Sequence, residues 1–182
     1  MDADDISQII FLLILLALSA FFSSSETALT TVNKIRMRTL AEAGNTKAKK
    51  VLKVTENSPK MLSAILIGNN IVNLSASSLT TSLAIKLFGS VGAGVATGIL
   101  TFLILIFGEV SPKTLATIKA DKISLSIAGF ISVLMVVLTP VIFIINKLSL
   151  GVIFLFGIRQ SDAKRAVSYT HLRAHETVLD LV

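Results

Sequence analysis

The chain has 182 residues, of which 53% are hydrophobic and only 15% charged, against roughly 25% charged in soluble domains, and its mean hydropathy is +0.81. This composition excludes a soluble globular domain and predicts an all-α integral membrane protein. The absence of cysteine excludes disulfides and thiolate metal sites, and the net charge of +6 resides in short loops beside apolar spans, where topology and anionic lipid account for it and nucleic acid does not.

Residues 7–31 are long enough for a first span, since a hydrocarbon core of ~30 Å needs roughly 20 helical residues. The following segment, 32–60, carries Lys34, Arg36, Arg38, Lys47, Lys49, Lys50, Lys53 and Lys60 against Glu42 and Glu56. The positive-inside rule makes it a cytoplasmic loop and puts the N-terminus outside. Two short amphipathic helices are expected within it, broken at Gly44-Asn45 and ended at Ser58-Pro59. Residues 61–87 form a second span, Phe88-Gly89-Ser90 an external turn, and 91–110 a third span. Gly94 and Gly98 give that third helix a small-residue face suited to close helix contact, within one subunit or between two.

The third span ends in Phe107-Gly108-Glu109-Val110-Ser111-Pro112-Lys113, a polar break in an apolar run. Proline removes a backbone donor, glycine lets another group approach the backbone, and a carboxylate at that depth is costly unless it has a role. Broken helices persist in membranes where they line a site. Lys113, Lys119 and Lys122 place this end on the cytoplasmic side. Residues 123–158 are then 36 apolar-rich positions split by Thr139-Pro140, with Asn146-Lys147 near the centre. They form either a kinked juxtamembrane belt or two full spans turning at Asn146-Lys147. The basic residues Lys122, Lys147, Arg159, Lys164 and Arg165 favour the belt, a cytoplasmic C-terminus and a transmembrane domain over 1–160. In the tail, 161–182, residues 169–182 resemble translated adapter sequence and are set aside as non-native. His171 and His175, at zinc-compatible spacing, have no third ligand organised around them.

Polar groups recur along the spans. Ser19, Ser23 and Thr27 share one helical face with Glu26 beside it; Asn69, Asn73, Ser77 and Thr81 share another with Asn70 adjacent; the third helix supplies Thr97, Thr101, Gly108 and Glu109. Single hydroxyls such as Ser24, Ser78 or Thr101 usually bond their own preceding turn. Three asparagines within about one turn are harder to satisfy in lipid, because each amide has four hydrogen-bonding positions. Three polar stripes imply one wet interior. Hydroxyl, amide and backbone carbonyl oxygens, with carboxylate in reserve, suit a hard cation such as Mg²⁺, Ca²⁺ or Na⁺. Glu109 is expected chiefly to anchor the break, with electrostatic support of the cation as its second role.

Taken together, Phe22-Ser23-Ser24-Ser25-Glu26-Thr27-Ala28-Leu29, Gly68-Asn69-Asn70-Ile71-Val72-Asn73 and Phe107-Gly108-Glu109-Val110-Ser111-Pro112-Lys113 resemble the transmembrane domain of the CorC/cyclin M family of magnesium transporters over about residues 6–160. The resemblance implies a cell-membrane homodimer of three-span subunits with a juxtamembrane belt, exporting Mg²⁺ against Na⁺ entry. It implies a cation site at Ser19, Ser23, Asn69 or Asn70, and Gly108, to which the stripes add Asn73 and Glu109. The cytosolic CBS-domain pair that binds ATP in relatives has no counterpart in this sequence. A rival reading is a Mg²⁺-sensing membrane scaffold that binds without transporting. An intramembrane enzyme is disfavoured, since neither histidine nor cysteine lies in the spans.

Overall fold

The computed structural model describes residues 3–155, and among these every regular element is helical. Helix α1, Ala3–Thr31, is an unbroken aliphatic run with Asp4 and Asp5 in its first turn, where the helix dipole favours negative charge. Three asparagines then start three helices by accepting backbone N–H groups that have no helical partner. Asn33 caps α2, Lys34–Glu42, at Arg36; Asn45 caps α3, Thr46–Glu56, at Lys47 and Ala48; Asn57 accepts from Lys60 at the start of α4. Gly44 turns the chain between α2 and α3 with a φ of 91°, a left-handed conformation that side chains disfavour. The amphipathic pair is therefore as expected, with Met37 and Ala41 of α2 and Ala48, Val51, Val54 and Thr55 of α3 turned inward. Ser58-Pro59 opens the next helix instead of closing the loop, because proline is tolerated in a first helical turn.

Helix α4, Ser58–Gly89, and helix α5, Gly92–Ile118, are joined at Gly89, whose φ of 74° and ψ of −173° lie outside the helical region. Gly92 lies so close to the Phe88 side chain that a Cβ has no room there. The two helices form a hairpin. Asn69 and Gly108, roughly 20 residues or ~30 Å of helix to either side of Gly89, both meet Ser19 of α1. At the hairpin end Lys86 pairs with Asp5 at 2.6 Å and Asp4 at 3.6 Å, so α1 and α4 run antiparallel. Up-down-up packing of α1, α4 and α5 follows.

The third long helix differs from expectation in one respect. Instead of breaking near residue 110 it widens into a π-helical stretch, Ile104–Val110, and continues as α-helix over Ser111–Ile118. The N–H of Ser111 reaches back five residues to the carbonyl of Ile106. Pro112 falls within the first two positions after the π stretch and ends nothing. Among the described residues the expected Gly94/Gly98 contact face is not used, since none of their atoms lies within 4 Å of a Cβ built at either position.

Helix α6, Ala120–Val137, is tied to the α1–α2 junction by Asp121, which accepts from the Asn33 N–H at 3.2 Å and pairs with Arg36 at 2.9 Å. Farther along, Phe130 packs edge-on against Phe21 of α1 at 5.2 Å, and the Lys50 ammonium of α3 lies 3.9 Å from a Cβ built at Gly129. The helix ends at Val137, followed by Leu138 with φ −83° and ψ 0°. Residues from Thr139 form a separate unit, containing the apolar helix α7, Thr139–Leu155. The expected division at Thr139-Pro140 is thus present. The alternative turn at Asn146-Lys147 is not, since α7 runs through it as helix, with the Lys147 ammonium 4.9 Å over the Phe143 ring. Among the described residues four helices are long and apolar enough to cross a membrane: Asp4–Thr31, Ser58–Gly89, Gly92–Ile118 and Ala120–Val137. The fourth falls in the segment assigned to the belt. The end of that segment, the tail 161–182 and its two histidines lie outside the described residues.

Candidate cation site between the three long helices

Ser19 is the meeting point. It is 1% exposed at mid-length in α1, and its hydroxyl donates to Oδ1 of Asn69 in α4 at 3.5 Å, the outer limit of a hydrogen bond. A Cβ on Gly108 of α5 would stand 2.9 Å from that same hydroxyl oxygen. Only glycine lets the π-helical backbone come this close to Ser19. One residue from each long helix therefore converges on a single hydroxyl.

The antiparallel register extends this point into a column. Ser23, one turn along α1 toward the basic end, is 1% exposed, and its Oγ is buried without a hydrogen-bond partner. Asn73, one turn along α4 toward the hairpin end, has its Oδ1 buried and likewise unpartnered. A lost hydrogen bond at a buried polar atom costs about 1–3 kcal/mol. Two such atoms flanking a weak Ser19–Asn69 contact are oxygens prepared for something other than each other. Beyond Ser23, Glu26 approaches Lys113 at 3.6 Å, both partly exposed, and so caps the column on its basic side. Among the described residues no three histidine, cysteine, aspartate or glutamate side chains converge. The oxygens of the column are consequently neutral.

The remaining predicted residues are placed elsewhere. Asn70, about 100° around α4 from Asn69, is exposed on a ridge with Leu74, Ser78 and Ser82. Of the adjacent asparagines, Asn69 is the one that reaches Ser19. Glu109 is half-buried, and among the described residues neither a hydrogen bond nor an ion pair reaches its carboxylate, so the expected anchoring contact is not seen. The simpler reading of most other hydroxyls holds: Ser24, Thr31, Thr81, Thr97 and Thr101 each donate to a carbonyl three or four residues earlier. Three participants carry weaker sequence signals. Ser25 is fully buried and bonds the Phe21 carbonyl at 2.6 Å. Gly68 faces the Phe22 ring, which would lie 2.7 Å from a Cβ, so it lets α1 and α4 close beside the site. Thr80 has a buried unpartnered hydroxyl farther along α4. Gly68 adjoins the asparagine cluster and could have been found from it, whereas nothing in sequence separates Ser25 or Thr80 from their neighbours.

The chain is 39% identical over 175 residues to a UPF0053 protein of Haemophilus influenzae, covering 96% of this chain and 42% of that protein. It is 38% identical over 142 residues to the UPF0053 inner membrane protein YfjD of Escherichia coli, covering 78% and 33%. It is 34% identical over 153 residues to a chloroplastic DUF21 domain-containing protein of Arabidopsis thaliana, covering 84% and 23%. The chain thus spans less than half the length of these relatives. Residues 9–175 match the model of the cyclin M transmembrane N-terminal domain, and the chain belongs to that family.

Proposed function

We propose that this domain transports Mg²⁺, exporting it against Na⁺ entry, through a site formed by Ser19, Ser23, Asn69, Asn73 and the backbone at Gly108. The observation that carries this reading is the meeting of three helices on the Ser19 hydroxyl, with buried, unpartnered oxygens of Ser23 and Asn73 one turn to either side. Mg²⁺ takes six oxygens at about 2.0–2.1 Å and keeps several waters. Neutral hydroxyl and amide oxygens hold such an ion weakly enough for release, while dense carboxylates in low dielectric make release slow. Family membership supports the cation class; the Na⁺ coupling rests on the resemblance alone.

In this reading the basic end is cytoplasmic, with the N-terminus and the Gly89 hairpin outside. Helix α6 forms part of the belt along the inner leaflet, consistent with Lys50 of the basic loop beside Gly129 halfway along it. Two copies pair in the membrane of the cell through faces unused within one subunit: the open Gly94/Gly98 face of α5 and the exposed ridge of Asn70, Leu74, Ser78 and Ser82 on α4. Proteoliposomes loaded with Mg²⁺ and a Mg²⁺-sensitive dye test the proposal. Efflux that rises with an inward Na⁺ gradient is expected. Mg²⁺ binding without flux under either gradient refutes transport and leaves the sensing scaffold.

A further inference from the structure

A cavity at the basic end lies away from the polar column. It has a volume of about 470 Å³ and opens between the end of α1, the start of α2 and the α5–α6 junction. Arg36, Lys119 and Lys122 supply its cationic groups, Asn33 and Thr117 its neutral polar groups, and Ile118 part of its apolar wall. Asp121 is the one carboxylate among the lining residues, and it is already engaged by Arg36 and the Asn33 N–H. Among the described residues neither Lys119 nor Lys122 has an ion-pair partner, so the cavity carries two uncompensated ammonium groups. This surplus does not arise from the transport site, whose oxygens are neutral.

Ile118 is the last residue of α5 and 74% exposed, and Leu115 one turn earlier is 50% exposed. An apolar span that runs into a cationic cavity through exposed aliphatic side chains sits where acyl chains meet headgroups. Basic pockets between helices at that level suit phosphate-bearing headgroups, and the volume is within the ordinary range of about 300–1,000 Å³ for small-molecule pockets. We infer that this cavity is a binding site for the phosphate of an anionic phospholipid, held by Lys119 and Lys122 with its acyl chains along Leu115 and Ile118. A soluble phosphate satisfies the same ammonium groups but leaves the aliphatic wall without a partner.

Native mass spectrometry of the full chain in neutral detergent, titrated with phosphatidylglycerol or phosphatidylcholine, tests the inference. Lysine near a membrane surface strengthens anionic-lipid attraction by about fivefold per residue, so Lys119→Gln with Lys122→Gln is expected to weaken phosphatidylglycerol retention by about 25-fold. Phosphatidylcholine retention should stay unchanged. Lys119→Arg with Lys122→Arg should retain the lipid, and so should Lys49→Gln with Lys53→Gln, which removes equal charge from exposed positions of α3 outside the cavity. Equal weakening by both glutamine pairs overturns the site in favour of diffuse attraction, and no weakening by the first pair overturns it outright. Displacement of phosphatidylglycerol by millimolar inorganic phosphate, with phosphate itself retained, overturns the lipid as ligand. Circular dichroism on each variant confirms that helicity is kept.

Discussion

Gly108→Ala is the sharpest probe of the polar column. The added methyl would lie 2.9 Å from the Ser19 hydroxyl and 3.4 Å from both Ser19 Cβ and Ile104 Cγ2. To restore ordinary contact Ser19 must retreat by about 0.5 Å. Overpacking of this kind costs about 1–3 kcal/mol, offset by up to ~1 kcal/mol from replacing glycine in a helix. The protein should therefore remain folded, destabilised by about 0–2 kcal/mol. Cation binding is less forgiving, because metal–ligand distances hold to within about 0.2 Å. Displaced Ser19 stops being a ligand, and Mg²⁺ affinity measured by titration calorimetry should fall at least about tenfold, or ~1.4 kcal/mol. Adding Ser19→Ala removes the clashing oxygen, so stability should recover while affinity does not. A double-mutant cycle separates the two effects. Wild-type affinity in Gly108→Ala would refute the claim that this backbone and Ser19 form the site.

Other substitutions follow from the same geometry. Ser23→Ala removes a buried unpartnered hydroxyl and should raise the thermal stability of the cation-free protein by about 1 kcal/mol while lowering Mg²⁺ affinity; a fall in both would mean that the hydroxyl is structural. Asn69→Ala should weaken Mg²⁺ binding, whereas Asn70→Ala should leave binding intact and reduce detergent crosslinking between subunits, and the reverse pattern would exchange their roles. Gly94→Leu enters open space in the subunit, so helicity should persist while crosslinking falls; an unchanged dimer removes that face from the interface. Glu109→Gln should leave thermal stability within about 0.5 kcal/mol of wild type, since among the described residues no hydrogen bond or ion pair reaches its half-buried carboxylate, and a larger loss would reveal an anchoring contact.

Much of the fold was legible because the membrane imposes long, simple signals. The apolar lengths of α1, α4 and α5 and the turn at Phe88-Gly89-Ser90 appear directly in residue order, as do Gly44-Asn45 and Thr139-Pro140. The basic loop's helices were legible from caps and periodicity. What sequence could not show is rotation about a helix axis at single-residue resolution. Asn69 and Asn70 have the same chemistry, and it is the packing of α4 on α1, with Phe22 against Gly68, that turns one toward Ser19 and the other outward. Glu109 was assigned by cost and adjacency, yet the face it occupies is not the one Gly108 presents. For Gly94 and Gly98 the pattern stated that something approaches closely but not what, and among the described residues of one subunit nothing does.

The π-helical stretch explains why the proline does not break the helix. Proline at 112 has no N–H to return to the carbonyls of Phe107 or Gly108, five and four residues earlier. In hydrocarbon each unsatisfied backbone group costs several kcal/mol, so a full break over Gly108 to Lys113 would orphan a whole turn of donors and acceptors. Widening to the five-residue pattern, seen in the Ser111 N–H bonding Ile106, keeps the neighbouring groups paired. It confines the deficit to the level where Gly108 meets Ser19. Pi-bulges recur at functional sites for this reason: they change the backbone locally without dissolving the helix. Carbonyl oxygen there carries a dipole and no charge, and it joins serine and asparagine oxygens of the same kind. In the proposed function a cation entering this column would exchange water for neutral dipoles at one level, with the charged Glu26–Lys113 pair beyond Ser23. Weak ligation in the middle, with charge beyond it, is the order the proposed reversible cation path would use.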